Sequence, residues 1–384
     1  MNFELTKEQK DIQRAAREFA QGEFDKEVAL EHELSHEFPF QIWRKACKLG
    51  FIGIHYPEEY GGQAYGVLEN MLIAEQFCRT DSGLGTCLVL ANFGSEIILR
   101  GGSEEQKRRC LLPLTKGEAI SAGAFTEPDR GSDITKLSTA AVKEGDHYTI
   151  NGVKTLISNG AIADYIIVLC QTDPDATPSY RGQSLFIVEK DREGFEAREI
   201  GEKMGIRMTS TAELSFNSVK VPEENLIGQE NRGFHRAMEF FDESRILIAA
   251  QALGIAQGAF DRALDYARER EQFGRKIAEF QVTQHKLADM ATKIETARLL
   301  SYKAAWNFDQ GRIDVALTSM AKIYAPRVAV EVCQEAIQIF GGYGYFLEYE
   351  VERFYRDARI TEIYEGTTEI QKNTIARALI GKLR

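Results

Sequence analysis

The spacing of apolar residues changes twice along this chain, and this change constrains the fold more than any other feature of the sequence. Apolar residues recur at helical intervals in the first stretch, alternate as in strands in the middle, and return to long amphipathic helical spacing in the last. Long helices with few loops suit an antiparallel bundle. The sequence therefore predicts an α+β fold without alternating βαβ units: an N-terminal helical domain (1–118), a central β-domain (119–230) and a C-terminal antiparallel four-helix bundle (231–384).

Short motifs predict where some of these elements begin and turn. A capping-box pattern, Thr or Ser followed three residues later by Gln, occurs at positions 6–9 and 103–106 and indicates two helix N-termini. In the middle stretch, Asn151-Gly152 is the dipeptide favoured in a two-residue hairpin turn. The sequence therefore predicts a β-hairpin at that point.

Composition and charge exclude several classes of function. The 384 residues carry Lys+Arg 47 against Asp+Glu 58, a formal net charge of −11, which argues against nucleic acid as the main partner. The 6 cysteines form no CxxC pair, so neither a disulfide framework nor a zinc ribbon is expected, and a reducing cytoplasm fits best. The N-terminus has mixed charge without an apolar leader, and no apolar run approaches a membrane span. We expect a soluble cytoplasmic protein.

The segment His32-Glu33-Leu34-Ser35-His36 is a formal HExxH motif. On a helix its two imidazoles would share a face and could bind zinc, with the glutamate as the base of a peptidase. However, Pro39 follows closely, the flanks are acidic and polar, and no downstream segment offers a third ligand. We predict an exposed interhelical loop here and no metal site, and a zinc peptidase remains the alternative from another class.

A nicotinamide enzyme would be expected to show GxGxxG between a strand and a helix. The glycine clusters at 83–85 and 341–344 do not complete that pattern, and both lie in helical surroundings. Gly341-Gly342 follows an apolar helical run and is typical of a helix C-terminus. A Rossmann site is therefore not expected, and any dinucleotide must be bound in another way.

Two further segments have the composition of functional loops. In IYEGTTEIQ (363–371), Thr368 and Gln371 have capping-box spacing, Gly366 permits a tight turn, and Glu365 precedes the positive end of the predicted helix. In FTEPDRGSD (125–133), hydroxyls and a glycine follow a strand and could direct polar groups at a ring or a phosphate. Taken alone, Glu365 could instead be a carboxylate that caps a helix, and the second segment an ordinary turn.

Together these segments resemble the acyl-CoA dehydrogenase family, in order along the whole chain. The matching blocks are AFTEPDRGSD, KTLISNG, EKMGIRMTSTAELSF, FDESR at 241–245, REREQFG at 268–274, QIFGGYGY at 338–345 and RITEIYEGTTEIQ at 359–371. The resemblance implies helical, β and four-helix domains and non-covalently bound FAD. It implies 1,2-elimination from an acyl-CoA thioester, in which Glu365 removes the α-proton and the β-hydride goes to flavin. The backbone N–H of this glutamate and a flavin ribityl hydroxyl would stabilise the thioester oxygen.

The resemblance also implies roles for other residues in the matching blocks. It implies that the flavin ring is contacted by Phe125, Thr126, Ile157 and Ser158. It implies that the adenosine part of FAD lies near Thr367 and Glu369. For the substrate it implies Ser132, Asp242, Arg245 and Gly366. The positions that hold FAD from a neighbouring subunit are Arg270, Gln272, Phe273, Gln281, Gln338 and Gly342. The expected assembly is therefore a homo-oligomer, commonly a homotetramer in this family, with an electron-transferring flavoprotein as acceptor.

Departures from the family pattern bear on the substrate. Leu156 stands where many members have Trp, and Phe125 adds bulk where an aliphatic residue is commoner. On overall likeness and this altered wall, the chain is similar to bacterial enzymes acting on alicyclic thioesters such as cyclohexanecarboxyl-CoA. Ser244 occupies a position where some members carry the base, which leaves Glu365 as the matching candidate. Ala91 stands where a cyclohexenecarboxyl-CoA 1,4-dehydrogenase would need an aspartate, so 1,2-elimination is favoured.

Other functions remain open on the sequence. Within the family they are a short- or medium-chain dehydrogenase of straight or branched acyl-CoA, and the 1,4-dehydrogenase of cyclohexenecarboxyl-CoA. Outside that activity they are a flavin oxidase of the same fold, the zinc peptidase, and a helical binding module without enzymatic function.

Overall fold

The computed structural model describes residues 4–381, and its first part is a helical layer. The helices are α1 (Lys7–Glu23), α2 (Lys26–Ser35), α3 (Phe40–Lys48), α4 (Val67–Thr80), α5 (Ser82–Leu90), α6 (Ser95–Gly101) and α7 (Glu104–Thr115). Both predicted capping boxes are present. The hydroxyls of Thr6 and Ser103 accept bonds from the N–H groups three residues on, and the glutamines there bond back to the cap N–H groups. These two predictions are confirmed.

The middle part is a curled sheet of mixed strand direction. Its strands are β1 (Ser121–Ala124), β2 (Ala140–Glu144), β3 (His147–Ser158), β4 (Tyr165–Gln171), β5 (Gln183–Glu189), β6 (Phe195–Glu199) and β7 (Thr211–Pro222). The order is β1-β4-β2-β3-β7-β6, and β5 pairs antiparallel with β4. β4 is buried along its whole length and β5 along almost all of it, as expected of strands dense in apolar and β-branched residues.

The hairpin predicted at Asn151-Gly152 is wrong. β3 continues through both residues, and the chain turns instead at Gly145-Asp146, where the ends of β2 and β3 face each other. Gly145 has the positive φ, 67°, that a tight hairpin turn favours. At Gly152 the register with β7 shifts, and an added Cβ would lie 2.5 Å from the Thr139 hydroxyl. Glycine is present there for a bulge and a close approach.

The last part is helical and is built on three long helices. Its elements are α8 (Gly233–Glu269), β8 (Glu271–Gln272), β9 (Arg275–Lys276), α9 (Gln281–Asp309), α10 (Val315–Phe340), α11 (Val351–Ile360) and α12 (Thr368–Ile380). α8 packs against α9 and α10, and α11 and α12 pack against α10. Gly341 ends α10 with φ 64°, which confirms the predicted helix C-terminus. The α+β fold is confirmed, and the proposed boundaries at 118 and 230 stay predictions.

The first and last parts are in contact because two glycines of α8 make room for α4. A Cβ on Gly254 would lie 2.4 Å from the carbonyl oxygen of Glu75, and one on Gly258 would lie 2.2 Å from that of Arg79. Residues four apart share a helix face. Any side chain at these two positions would force α4 and α8 apart.

The HExxH segment lies at the end of α2, so the prediction of an exposed loop is wrong. Glu33 is buried, and its carboxylate accepts a hydrogen bond from Arg356 at 2.7 Å. His36 ends the helix in the left-handed conformation with φ 60°. The glutamate is therefore engaged in an ion pair. Within residues 4–381 no group of three or more His, Cys, Asp or Glu side chains is placed to hold a metal ion.

One apolar segment is longer than the sequence led us to expect. Ser82–Gly101 has the length and mean hydropathy, 1.4, of a helix able to cross a membrane, and it is the 1 such candidate within residues 4–381. In the structure 89% of its most apolar window is buried inside the protein, and the segment is divided into α5 and α6. This is the environment of a core helix.

Buried ion pairs connect α11 to the first helical layer. Arg353 pairs with Asp81, and the two side chains are 3% and 2% exposed. Asp81 also caps α5 by accepting bonds from two N–H groups of its first turn. Arg356, one turn further along α11, pairs with Glu33 of α2. Since a buried ion has lost its water, each of these groups depends on its partner.

Asp357 extends the same contacts to the sheet. Its carboxylate accepts hydrogen bonds from the Ser82 hydroxyl at 2.6 Å and from the N–H of Ile206, in the loop before β7, at 2.5 Å. Burial, with a contribution from the nearby Glu33, raises the pKa of Asp357 to about 7. Asp357 therefore ties α5, α11 and the β6–β7 loop together at one point.

We expect Arg353→Met to destabilise the protein by about 3–5 kcal/mol, because Asp81 would stay buried without its partner. Urea unfolding followed by circular dichroism measures this change. The matched control is Arg14→Met, since Arg14 is 66% exposed in its pair with Asp11 and such pairs contribute little. If both variants unfold at the urea concentration of the wild type, the structural role given to the Arg353–Asp81 pair is wrong.

Candidate active site

A cavity of about 590 Å³ opens between the sheet and the segment that joins α11 to α12. This volume is typical of small-molecule and cofactor sites. The predicted site residues in its wall are Phe125, Thr126, Ser132, Ile157, Ser158, Glu365, Gly366 and Thr367. The two functional loops singled out in the sequence, 125–133 and 363–371, therefore face the same cavity.

Glu365 lies in the turn between α11 and α12 with a left-handed backbone, φ 55°. The hydroxyl of Ser244 in α8 donates a hydrogen bond to its carboxylate. Its carbonyl oxygen accepts bonds from Gln371 Nε2 at 3.0 Å and from Arg245 Nε at 3.4 Å. Among the described residues its backbone N–H has no hydrogen-bond partner. The residue is thus held by its side chain and carbonyl, with one donor unused.

The helix that follows Glu365 begins where predicted, but its cap differs. Thr367 is the N-cap, and its hydroxyl accepts the N–H of Ile370 at 3.3 Å. Gln371 makes no capping box with Thr368, because its amide is used to bond the carbonyl oxygens of Glu365 and Gly366. The predicted box is therefore wrong by one residue, and its glutamine supports the turn.

Burial raises the pKa of the Glu365 carboxyl. The hydrogen bond from Ser244 and the positive charges of Arg245 and Lys322 oppose that rise, while Glu96 adds to it. A carboxylate with a raised pKa is a stronger base than one in water. This is the property required of a group that removes a proton from carbon.

A buried ion pair holds the start of the 125–133 loop, which lines the cavity. Lys154 bonds to the Glu127 carboxylate at 3.0 Å and to the carbonyl oxygen of Phe125 at 3.1 Å, with the two charged side chains 0% and 3% exposed. Glu127 also accepts the N–H groups of Ser138 and Thr139 at 2.7 and 2.9 Å. These bonds hold the start of the 125–133 loop against β3. The positions of Phe125 and Thr126 at the cavity are fixed in this way.

Backbone strain is concentrated at this cavity. Leu156, Ile206 and Glu365 all line it, with φ values of 58°, 44° and 55°. Such conformations cost of order 1–3 kcal/mol each in non-glycine residues and persist only where the surrounding contacts require them. Leu156 is 64% exposed.

One part of the wall is aromatic and tightly packed. Phe93 and Phe125 line the cavity and both pack on Phe240, with ring centroids 5.1 and 5.9 Å apart. A Cβ added to Gly123 would lie 2.8 Å from the Phe125 ring and 3.1 Å from the Phe93 ring. A side chain at residue 123 would therefore displace one or both of these rings from their places in the wall.

Other predicted site residues lie outside this cavity. Asp242 and Arg245 pair with each other at 3.3 Å, next to the Glu365 backbone. Arg270, Gln272 and Gly342 line a second depression of about 470 Å³, beside the stacked rings of Tyr266 and Phe340. Four more are exposed on the surface: Phe273, Gln281, Gln338 and Glu369. One subunit therefore presents two separate groups of predicted site residues.

The sequence did not indicate three contributors to the site. They are the loop 200–206 in the cavity wall, Ser244 as a hydrogen-bond donor, and Lys322 of α10. Ser244 was considered only as the position of an alternative base. The signal for Lys322 was its place on the apolar face of a helix, three residues before Ala325 and four after Thr318, all of which are buried.

Helical, β and helical parts follow one another along the chain, and a cavity lined by Glu365 lies between the sheet and the last helices. Models of the acyl-CoA dehydrogenase N-terminal, middle and C-terminal domains match residues 6–118, 122–219 and 231–380. The chain belongs to the acyl-CoA dehydrogenase family. It is an FAD-dependent enzyme that acts on acyl-CoA thioesters.

The chain is similar along its whole length to several enzymes that act on CoA thioesters. The chain is 44% identical to the short-chain-specific acyl-CoA dehydrogenase of Clostridium acetobutylicum, over 98% of this chain and 99% of that protein. It is 41% identical to the caffeyl-CoA reductase–Etf complex subunit CarC of Acetobacterium woodii, over 98% and 100%. Butyryl-CoA dehydrogenase from Megasphaera elsdenii has a TM-score of 0.95 at 39% identity, over 99% and 100%. The expected likeness to cyclohexanecarboxyl-CoA enzymes is not supported.

Proposed function

We propose that this enzyme dehydrogenates short-chain acyl-CoA thioesters, with Glu365 as the base that removes the α-proton. The observation that carries the proposal is Glu365 itself. Its carboxyl has a raised pKa, its backbone N–H has no hydrogen-bond partner within residues 4–381, and it lines the same cavity as Thr126 and Ser158. A base, a hydrogen-bond donor and polar groups for a flavin ring thus surround one space.

The residues of the wall fit a flavin. Phe125 and Ile157 offer apolar surface, and Thr126 and Ser158 add hydroxyls beside it, which suits a flat ring with polar edges. FAD, when bound, supplies the acceptor for the β-hydride. Thr367 lines the same cavity and, with the exposed Glu369, is proposed to lie near the adenosine part of FAD.

Proton removal depends on how the chain holds Glu365. Before substrate binds, the Ser244 hydroxyl bonds to the carboxylate and favours its charged form. An acyl chain that enters the cavity displaces water, which raises the pKa further and makes transfer of the α-proton to Glu365 less unfavourable. The N–H of Glu365 donates to the thioester oxygen as negative charge develops there. Ser132 and Gly366, which line the same cavity, are proposed to hold the thioester arm, and Asp242 and Arg245, paired with each other next to the Glu365 backbone, are proposed to assist them.

The size of the acyl group follows from the aromatic wall. Because Phe93 and Phe125 pack on the buried Phe240, a longer chain that displaced these rings would disturb that packing. Each methylene that an apolar pocket cannot accommodate costs about 1–3 kcal/mol. The short-chain and butyryl-CoA relatives support the same choice. A short straight chain therefore replaces the alicyclic thioester as our proposed substrate.

The second group of predicted residues is proposed to complete the FAD site of a neighbouring subunit in a homotetramer. The guanidinium of Arg270 lies 5.3 Å from the Tyr343 ring, beside the stacked rings of Tyr266 and Phe340, which is suitable surface for a nucleotide. Phe273 is 93% exposed, an apolar surface that a monomer would leave in water. The same role is proposed for Gln272, Gln281, Gln338 and Gly342.

The direction of the reaction has a second candidate. CarC belongs to a caffeyl-CoA reductase–Etf complex, which favours reduction of an enoyl-CoA as the alternative. We propose an electron-transferring flavoprotein as the redox partner in either direction. All 6 cysteines are buried and free, which supports the proposed location in a reducing cytoplasm.

A panel of thioesters tests the proposed substrate. Anaerobic mixing of the FAD-loaded enzyme with butyryl-, octanoyl- or cyclohexanecarboxyl-CoA should bleach the flavin fastest with butyryl-CoA, by roughly 10-fold or more over the others, because the aromatic wall restricts size. Faster bleaching by cyclohexanecarboxyl-CoA would contradict the short-chain proposal and support an alicyclic substrate. Absence of bleaching by every thioester would contradict the dehydrogenase proposal itself.

Arg270→Ala tests the shared flavin site. If Arg270 binds the nucleotide of a neighbour, the variant should keep its assembled mass in light scattering but lose FAD on gel filtration. Arg268→Ala is the matched control, since Arg268 lies two residues away and is exposed in its pair with Asp265. A wild-type protein that runs at its monomer mass of 43.2 kDa with FAD bound would contradict the proposal.

A further inference from the structure

We propose that Lys322 is a positioning residue for Glu365: it clamps the turn that carries the base, and its charge keeps the carboxylate ionised until substrate arrives. This inference rests on the proposed function of Glu365. It concerns a residue of α10 that does not line the cavity and that no sequence motif singled out.

The geometry of the clamp is specific. The ammonium of Lys322 donates to the carbonyl oxygen of Thr361 at 2.7 Å and to that of Gly366 at 3.1 Å. One carbonyl precedes Glu365 and the other follows it, so a single side chain bridges both ends of the strained turn. The side-chain amide of Gln371, in α12, also donates to the carbonyl oxygen of Gly366, at 3.2 Å. The turn is closed from α10 and from α12 together.

Within residues 4–381 no carboxylate lies at ion-pair distance from the ammonium of Lys322. Lys154, the other lysine buried at the site, contacts the Glu127 carboxylate at 3.0 Å. Lys322 is 1% exposed, yet its described hydrogen bonds are to neutral carbonyls. Burying a cation in this way is costly, because carbonyl dipoles replace its water only in part. An uncharged amide could make the same two bonds, so the positive charge that Lys322 carries at pH values below its pKa is assigned a second role.

That role is electrostatic and acts on Glu365. Burial lowers the pKa of Lys322 to about 7, with Glu365 raising it, Arg245 lowering it and Glu362 raising it. The groups that face Glu365 are Ser244 and Arg245 from α8, Lys322 from α10 and Glu96 from α6. Below its own pKa Lys322 is protonated and favours the ionised base. Without that charge the pKa of Glu365 rises, and the acid limb of flavin reduction moves to higher pH.

Two variants separate the clamp from the charge. Lys322→Gln keeps N–H donors for the carbonyl oxygens but is neutral, and Lys322→Met removes both the donors and the charge at similar length. Lys303→Met, at an exposed lysine of α9, is the control. Each protein, loaded with FAD, is mixed with butyryl-CoA over a pH series. Hydrogen–deuterium exchange of residues 361–371 is measured without substrate as a readout independent of activity.

We expect the acid limb to move up by about one pH unit in both Lys322 variants and to stay in place in the control. Exchange in 361–371 should increase clearly in Lys322→Met and remain near wild type in Lys322→Gln. If Lys322→Met does not accumulate as a folded flavoprotein, the pH profile of Lys322→Gln decides. If the pH profile of Lys322→Gln is not shifted while the wild-type flavin is bleached, the role of Lys322 is wrong and the proposed function stands. If butyryl-CoA does not bleach the wild-type flavin, the proposed function itself is contradicted.

Discussion

Asp357 is the point at which the three parts of the fold meet. From α11, its carboxylate binds the Ser82 hydroxyl in α5 and the N–H of Ile206 in the loop before β7. Two arginines of the same helix pair with buried carboxylates of the first helical layer. Since α11 runs directly into the turn that holds Glu365, the distance between that residue and the sheet depends on these buried contacts.

The same constraint explains why strain is tolerated at the cavity. Ile206 adopts a positive φ that β-branched residues avoid, and the bond from its N–H to Asp357 holds it there. Glu365 is held in a similar conformation by Ser244 at its side chain and by Gln371 at its carbonyl. The contacts to Ile206 from Asp357 and to the Glu365 side chain from Ser244 come from elements distant in sequence, so the cavity is shaped by the assembled fold. The pKa of Glu365 also depends on the assembled fold, because burial raises it and the neighbouring Ser244, Arg245 and Lys322 oppose that rise.

Features set by residues close together in the sequence could be predicted from it, and features set by distant residues could not. The capping boxes at 6–9 and 103–106 and the end of α10 at Gly341 are local, and all were predicted correctly. The turn at Asn151-Gly152 was not, because pairing with β7 decides whether that dipeptide turns or continues. In the sequence Glu33 resembles the base of a zinc motif, because its true partner Arg356 lies 323 residues away. The loop of Glu365 is indicated by its own residues and the role of Glu365 by the resemblance to a family, whereas Lys322, which bonds this loop, lies in no motif.

Stopped-flow reduction of the bound flavin by butyryl-CoA in Glu365→Gln tests the account most directly. Glutamine preserves the shape of the side chain and the backbone N–H but cannot accept the α-proton. The account therefore predicts that FAD and thioester still bind while bleaching slows by at least ~10²–10⁴-fold. Glu362→Gln is the matched control, because Glu362 lies in the same turn but pairs with Arg359, and it should stay within a few-fold of wild type. Bleaching of Glu365→Gln at a rate similar to wild type would show that Glu365 is not the base and would contradict the central claim.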